Sequence, residues 1–144
     1  MYDRILIPTD GSKEAEKGAQ HGVDLAAEVG ATVHALYVIE EGGNPWSSES
    51  MEDQQDQARE YGRSITAEVG EMASTAGVEF VSAVEVGPAV YETINDYVDE
   101  EDIDLIVMGS GYHGKFGGLL GSTGEKVLRS ARVPVTTVRG QPEG

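Results

Sequence analysis

The sequence predicts an α/β fold, a parallel β-sheet sandwiched between helices in three layers. Two observations carry that expectation. Arg4-Ile5-Leu6-Ile7-Pro8 and Leu105-Ile106-Val107-Met108 are continuous rather than alternating apolar runs, as strands covered on both faces are. Strand-like and helix-like segments also alternate along the chain, which demands right-handed crossovers within one parallel sheet. At 144 residues the chain has the size of one domain with one core. Residues 1–140 are expected to form it, and 141–144 a short C-terminal tail.

The first strand covers Arg4 to Pro8. After Thr9-Asp10-Gly11, small or apolar residues recur at Ala15, Gly18, Ala19, Gly22, Ala26 and Val29, a helical spacing opened by Ser12 and closed by Gly30. Gly18 and Gly22 each cost about 1 kcal/mol of helix propensity, so they point to close approach to the sheet. Thr32 to Ile39 reads as the second strand. Glu40 to Ser50 is polar and rich in Gly, Pro and Ser, and reads as a mobile loop over one end of the sheet; it carries the only tryptophan, Trp46. Met51, Ala58, Tyr61, Ile65, Val69, Met72 and Ala76 fall on one stripe of a long helix ended by Gly77. Val78 to Val84 is the third strand. Gly87-Pro88 opens a helix with Val90, Ile94, Tyr97 and Val98, and the acids from Asp99 to Asp102 end it. A fourth strand at Leu105 to Met108, a glycine-rich stretch, a helix from about Thr123 to Arg132 and a last strand from Val133 to Val138 complete the chain.

Composition removes whole classes of chemistry. With no cysteine there is no disulfide framework, thiolate nucleophile or iron-sulfur cluster, and three histidines make a histidine-built metal site unfavourable. Twenty-six acidic against ten basic residues give a formal charge of -16, which repels nucleic acid and anionic membranes. Such acidity suits a halophilic surface, one adapted to molar salt, where self-repulsion is screened within a few ångströms. No run approaches about 18 consecutive apolar residues, and Met1-Tyr2-Asp3-Arg4 lacks the layout of a secretory signal. A soluble, cytoplasmic protein is expected.

In a sheet of this kind ligands bind at the carboxyl ends of the strands, where strand order reverses, so the first and fourth strands should border the crevice. The densest motif lies there. Residues 109 to 121 hold six glycines between an apolar strand and a helix. Glycine lets main chain pass close to a ligand, and amides at the start of the next helix attract oxyanions, so the stretch suits a phosphate cradle; a plain surface loop is the competing reading. Ser122 and Thr123 would donate to phosphate or cap the helix. The Gly109-x-Gly111-x-x-Gly114 spacing is not a dinucleotide fingerprint, since it follows the fourth strand and Arg129 stands about where an acid is required. Nor is Gly114-Lys115 a triphosphatase loop, because Phe116 replaces the hydroxyl residue that holds magnesium. Asp10, on the other wall, is placed to accept from a ribose hydroxyl or hold a metal, with a helix cap as the alternative. His21 and His34 read as structural, and His113 as a solvated loop residue.

Ile5-Leu6-Ile7-Pro8-Thr9-Asp10-Gly11-Ser12, Ala35-Leu36-Tyr37-Val38-Ile39-Glu40, Asp104-Leu105-Ile106-Val107-Met108-Gly109, and Leu120-Gly121-Ser122 through Val133-Pro134-Val135 together resemble the universal stress protein family, nearly end to end. The resemblance implies an adenine nucleotide alpha hydrolase-like fold with five parallel strands in the order 3-2-1-4-5. It implies a homodimer formed through the last strand and a role in stress response. It also implies binding of ATP, or of AMP or ADP, with magnesium. The nucleotide-binding branch carries glycine, two residues, glycine, nine residues, glycine, then serine or threonine. Here eleven residues separate Gly109 from Gly121 where that pattern has twelve. Gly111 keeps the nine-residue interval, and Gly114 keeps the His-Gly pairing of relatives. By the same resemblance Pro8, Thr9 and Asp10 line the adenosine, and Val38 presents backbone to the adenine edge. Met108 and Gly109 approach ribose and phosphate, and Gly121, Ser122 and Thr123 hold the phosphates.

The leading expectation is a nucleotide-dependent switch, with any ATP hydrolysis slow because no general base or arginine finger is evident. The alternative is an acidic dimeric scaffold of the same fold that binds no nucleotide. A phosphoacceptor receiver domain would need an aspartate where Val84-Glu85-Val86 stands, and is set aside.

Overall fold

The computed structural model describes residues 1–110 and 122–139. Five strands, β1 (Arg4–Pro8), β2 (Thr32–Glu40), β3 (Phe80–Gly87), β4 (Leu105–Ser110) and β5 (Val135–Arg139), alternate with helices α1 (Lys13–Val29), α2 (Met51–Thr75), α3 (Val90–Glu100) and α4 (Ser122–Ser130). The strands form one sheet in the order β3-β2-β1-β4-β5, every pair parallel, as the sequence and the family resemblance lead one to expect. The expected tail, 141–144, lies outside the described residues.

Alternate residues of the buried strands feed two apolar layers. Ile5, Ile7, Val33, Ala35, Leu105 and Val107 meet Ala19, Val23 and Ala26 of α1 and Val69 and Ala73 of α2. On the other face Leu6, Leu36, Ile106 and Met108 meet Ile94, Tyr97 and Val98 of α3 and Val127 of α4. Ile5, Leu6, Ile7, Ile106 and Val107 are fully buried, and each such side chain contributes about 1.5–3 kcal/mol. The continuous apolar runs therefore record strands covered on both faces.

Several strand boundaries differ from the sequence reading. Val78 does not start β3: its amide donates to the Ala73 carbonyl at 2.8 Å, closing the end of α2. The β2/β3 ladder instead runs from Val33↔Phe80 to Glu40↔Gly87, carrying β3 three residues beyond Val84. β5 begins at Val135 because Pro134 supplies only a carbonyl, which accepts from Ile106 at 3.0 Å. α4 spans Ser122–Ser130, ending two residues before Arg132. In α1 the expected stripe is buried from Ala15 to Ala26, while Val29, the last residue of the helix, stands exposed.

The β2–α2 connection is folded back onto α2. Gln54 accepts from the Asn44 amide at 2.7 Å and donates to the Asn44 carbonyl at 3.3 Å. The Asn44 side chain in turn accepts from the Trp46 amide at 3.0 Å. Trp46 projects from that turn, 92% exposed.

The glycines of α1 do bring helix and sheet together. A Cβ built on Gly18 would stand 2.4 Å from the Gly109 nitrogen, and one built on Gly109 would stand 1.9 Å from the Glu14 carbonyl oxygen. The first turns of α1 thus rest main chain to main chain on the carboxyl end of β4. Gly109→Ala should therefore destabilise the fold by about 1–3 kcal/mol, the range for overpacking, read as a lower midpoint in urea unfolding with an unchanged slope. An unchanged midpoint would show that α1 is not seated there.

Candidate functional site

The strand order reverses at β1, and the ladders on either side of β1 have different lengths. β1 pairs with β2 from Arg4↔Thr32 through Pro8↔Leu36. β4 pairs with β5 from Ile106↔Val135 to Ser110↔Arg139. Between β1 and β4 the pairing covers only Ile5↔Leu105 and Leu6↔Ile106. The two central strands therefore part at their carboxyl ends, each still held by its outer neighbour, and a crevice opens between them. Proline suits this position because it has no N–H to leave unpaired in the gap.

One side of the gap is closed. Gly109 sits against the Glu14 backbone, so the amino end of α1 covers the crevice on the α1/α2 face. The other side carries the residues of the α3/α4 layer: Met108 is fully buried in it, Val38 packs at its margin, and Pro8 follows Leu6 at the next inward position. A crossover helix runs antiparallel to its strands, so the first turn of α4, with Thr123 half-buried, lies at the same edge of the sheet. The amides of that turn have no partners within the helix and present partial positive charge.

The turn leaving β1 forms the near wall. Thr9 is buried, its amide donating to the Leu36 carbonyl at 2.9 Å and its Oγ1 accepting from Gly11 at 3.2 Å. Asp10 is half-buried, and its Oδ1 accepts from the Ser12 amide at 2.9 Å. The cap of α1 is Ser12, whose Oγ accepts from Ala15 at 3.1 Å, worth about 1 kcal/mol. Asp10 is therefore not the helix cap. Its carboxylate shapes the turn with one oxygen, and among the described residues the other has no hydrogen-bond partner.

Gly11 is required twice. Its φ is +83°, and a Cβ there would meet Ile65 Cδ1 at 2.6 Å and Tyr61 Oη at 2.7 Å. Tyr61 packs edge-to-face on Tyr37, with ring centroids 5.7 Å apart. Burial pushes the Tyr37 hydroxyl above its usual value, reinforced by Tyr61 and by the Asp10 charge. Tyr37 and Tyr61 thus back the Asp10 turn from the α2 side, a role that sequence reading missed. Tyr61 lies on the stripe of α2 read as core, and the one available signal was a glycine directly after Asp10.

The described structure brings Pro8, Thr9, Asp10, Val38, Met108, Gly109 and the first turn of α4 to one edge of the sheet. Gly111, Gly114 and Gly121, with His113 and Lys115, lie outside the described residues, as does the Ser122 side chain. Gly109 itself has a packing reason to be glycine, the Glu14 backbone, so its presence does not require a ligand. Among the described residues no group of three His, Cys, Asp or Glu is placed to hold a metal ion, and no helix is long and apolar enough to cross a membrane.

Comparison with known proteins agrees with this architecture. The sequence profile described as Usp, universal stress protein family, matches residues 1–139. The universal stress protein MJ0531 of Methanocaldococcus jannaschii is 34% identical over 143 residues, covering 96% of this chain and 83% of that protein. Among solved structures, that of MJ0577 from the same organism superposes with a TM-score of 0.83 at 27% identity and covers 99% of both chains. A universal stress protein in complex with cAMP shares the fold, with a TM-score of 0.73 at 22% identity over 95% of this chain and 98% of that one. The profile matches across nearly the whole sheet and all four helices, and the chain belongs to the universal stress protein family.

Proposed function

We propose that the protein binds an adenine nucleotide, ATP or the related AMP or ADP, in the β1/β4 crevice, and acts as a nucleotide-dependent switch in the stress response. The parting of β1 and β4 after Leu6↔Ile106 carries this reading. It leaves main chain free to face a ligand at the point where open α/β sheets bind theirs, beside a helix amino end suited to phosphate. Further support comes from the fold: structures related at 22%, 21% and 13% identity are described with cAMP, dAMP and AMP.

In this reading Val38 meets the adenine edge with its backbone, Pro8 and Thr9 line the adenosine, and the free oxygen of Asp10 accepts from a ribose hydroxyl. Met108 and Gly109 approach the ribose and first phosphate. Gly111 or Gly114, then Gly121, Ser122 and Thr123, hold the remaining phosphates. Magnesium keeps most of its waters and takes one or two carboxylates together with phosphate oxygens, so with a triphosphate bound Asp10 would hold the metal in place of the ribose contact. Such a site binds and releases, with any hydrolysis of ATP slow.

Titration calorimetry with AMP, ADP and ATP, the last with and without magnesium, tests the reading. One nucleotide per chain is expected, and Asp10→Ala should weaken it about tenfold or more, as loss of a charged hydrogen-bond acceptor does, while loss of the bond to the Ser12 amide lowers urea stability by about 1 kcal/mol. A protein that binds none of the three is the acidic scaffold instead.

Assembly and habitat belong to the same proposal. β5 is an edge of the sheet, with Val135 and Val138 half-buried and Leu128 of α4 49% exposed, and a second copy would cover it. Sedimentation should give twice the chain mass; a monomer at micromolar concentration would remove the dimer. The charge of -16 should make the melting temperature rise from dilute buffer to molar potassium chloride, as expected for a cytoplasm rich in salt, and a fall would remove the halophilic reading.

A further inference from the structure

A polar pair is inserted into the apolar layer beneath the crevice. His34 of β2 and Tyr97 of α3 are each 5% exposed, with His34 Nδ1 and Tyr97 Oη 2.8 Å apart and their rings edge-to-face. Tyr97 belongs to the cluster that holds Leu36 and Met108, with Val38 at its margin. The hydrogen bond therefore ties the sheet to α3 through the same layer that supports two residues of the site.

Neutral imidazole has one donor and one acceptor nitrogen and satisfies Tyr97 in either sense. Imidazolium donates from both, so the tyrosine O–H would have to turn away while a charge sits in an apolar layer. Charged groups face the pair from each neighbouring element: Arg4 at the start of β1, Glu85 of β3, and Glu101 at the end of α3. Tyr97 also lines a cavity of about 160 Å³ bounded by Glu41, Glu85, Asp96 and Glu100. Burial outweighs Glu101 and, with Arg4, holds His34 below the ordinary imidazole value of 6.5. Burial, Glu101 and Glu85 push Tyr97 up to about 12, so His34 is the member whose charge changes as the pH falls.

We propose that the His34–Tyr97 hydrogen bond is an acid-labile latch that docks α3 on β2 and thereby regulates the crevice above it, the second part resting on the nucleotide reading. Unfolded chains take up the histidine proton near about 6.5, and the folded chain only at lower pH. In between, the unfolded state binds more protons. The latch thus contributes fully above about 6.5, and its contribution falls as pH drops toward the folded value, by up to about tenfold in the closed-to-open ratio per pH unit.

Nuclear magnetic resonance of the intact wild-type protein should show the His34 ring titrating below 6.5; a midpoint at or above that value overturns the latch. Hydrogen exchange, corrected for intrinsic rates and referenced to α1, should show α3 opening more at pH 5.5 than at 7.5, by up to about tenfold. In His34→Gln, whose amide oxygen accepts from Tyr97 without titrating, the change should stay under about twofold. Equal changes in the two proteins overturn the proposal, and should the variant not fold, the wild-type titration and exchange decide it. Saturating adenosine, which carries no titrating phosphate, should suppress α3 opening in wild type at pH 5.5, because in this reading it binds the docked state. Exchange of α3 that bound adenosine leaves unchanged overturns the coupling to the crevice. Absence of adenosine binding at either pH counts against the nucleotide reading and leaves resonance and exchange to decide the latch.

Discussion

The seat of α1 on β4 is the contact on which the site depends. Glu14 main chain lies where a side chain at position 109 would be, and Gly18 meets the same strand end one turn later. Two backbones this close fix the amino end of α1 over one face of the β1/β4 gap. Ser12 then caps the helix, Gly11 turns left-handed under Tyr61 and Ile65, and Asp10 is left at the mouth. That contact closes the gap on the α1/α2 face.

Parallel strands pack through both faces, and here the two layers divide the work. The α1/α2 layer is apolar and anchors the turn after β1 through Tyr61 of α2, which with Tyr37 of β2 stands behind Asp10. The α3/α4 layer supports Met108 and Val38 and admits a histidine and a tyrosine, each satisfying the other. Among the described residues no buried side-chain nitrogen or oxygen lacks a hydrogen-bond partner, so the polar insertions are matched rather than tolerated. The cost of a polar pair in such a layer stays small only while both members are neutral.

Local signals were legible where chemistry is local. Continuous apolar runs gave the central strands, Ser12 and Gly30 gave the limits of α1, and the spacing of Gly18 and Gly22 announced a close helix–sheet contact. Boundaries set by a neighbour were not legible. β3 runs on to Gly87 because β2 offers partners that far, and Val78 is taken by the end of α2. Glu40 to Ser50 reads as a loose loop because composition shows only Gly, Pro and Ser, whereas Gln54, beyond its end, holds it in place.

The sequence alone determined the layered α/β architecture and the family, because periodicity, caps and motif order are properties of consecutive residues. Tertiary structure decided which face of the β1/β4 gap α1 closes, that Gly109 answers to Glu14, that Tyr37 and Tyr61 back the Asp10 turn, and that His34 meets Tyr97 sixty-three positions away. Each of these depends on how strands far apart in the chain come to lie side by side. Pairing across such distances is set by the packing of the whole core, which no local pattern encodes.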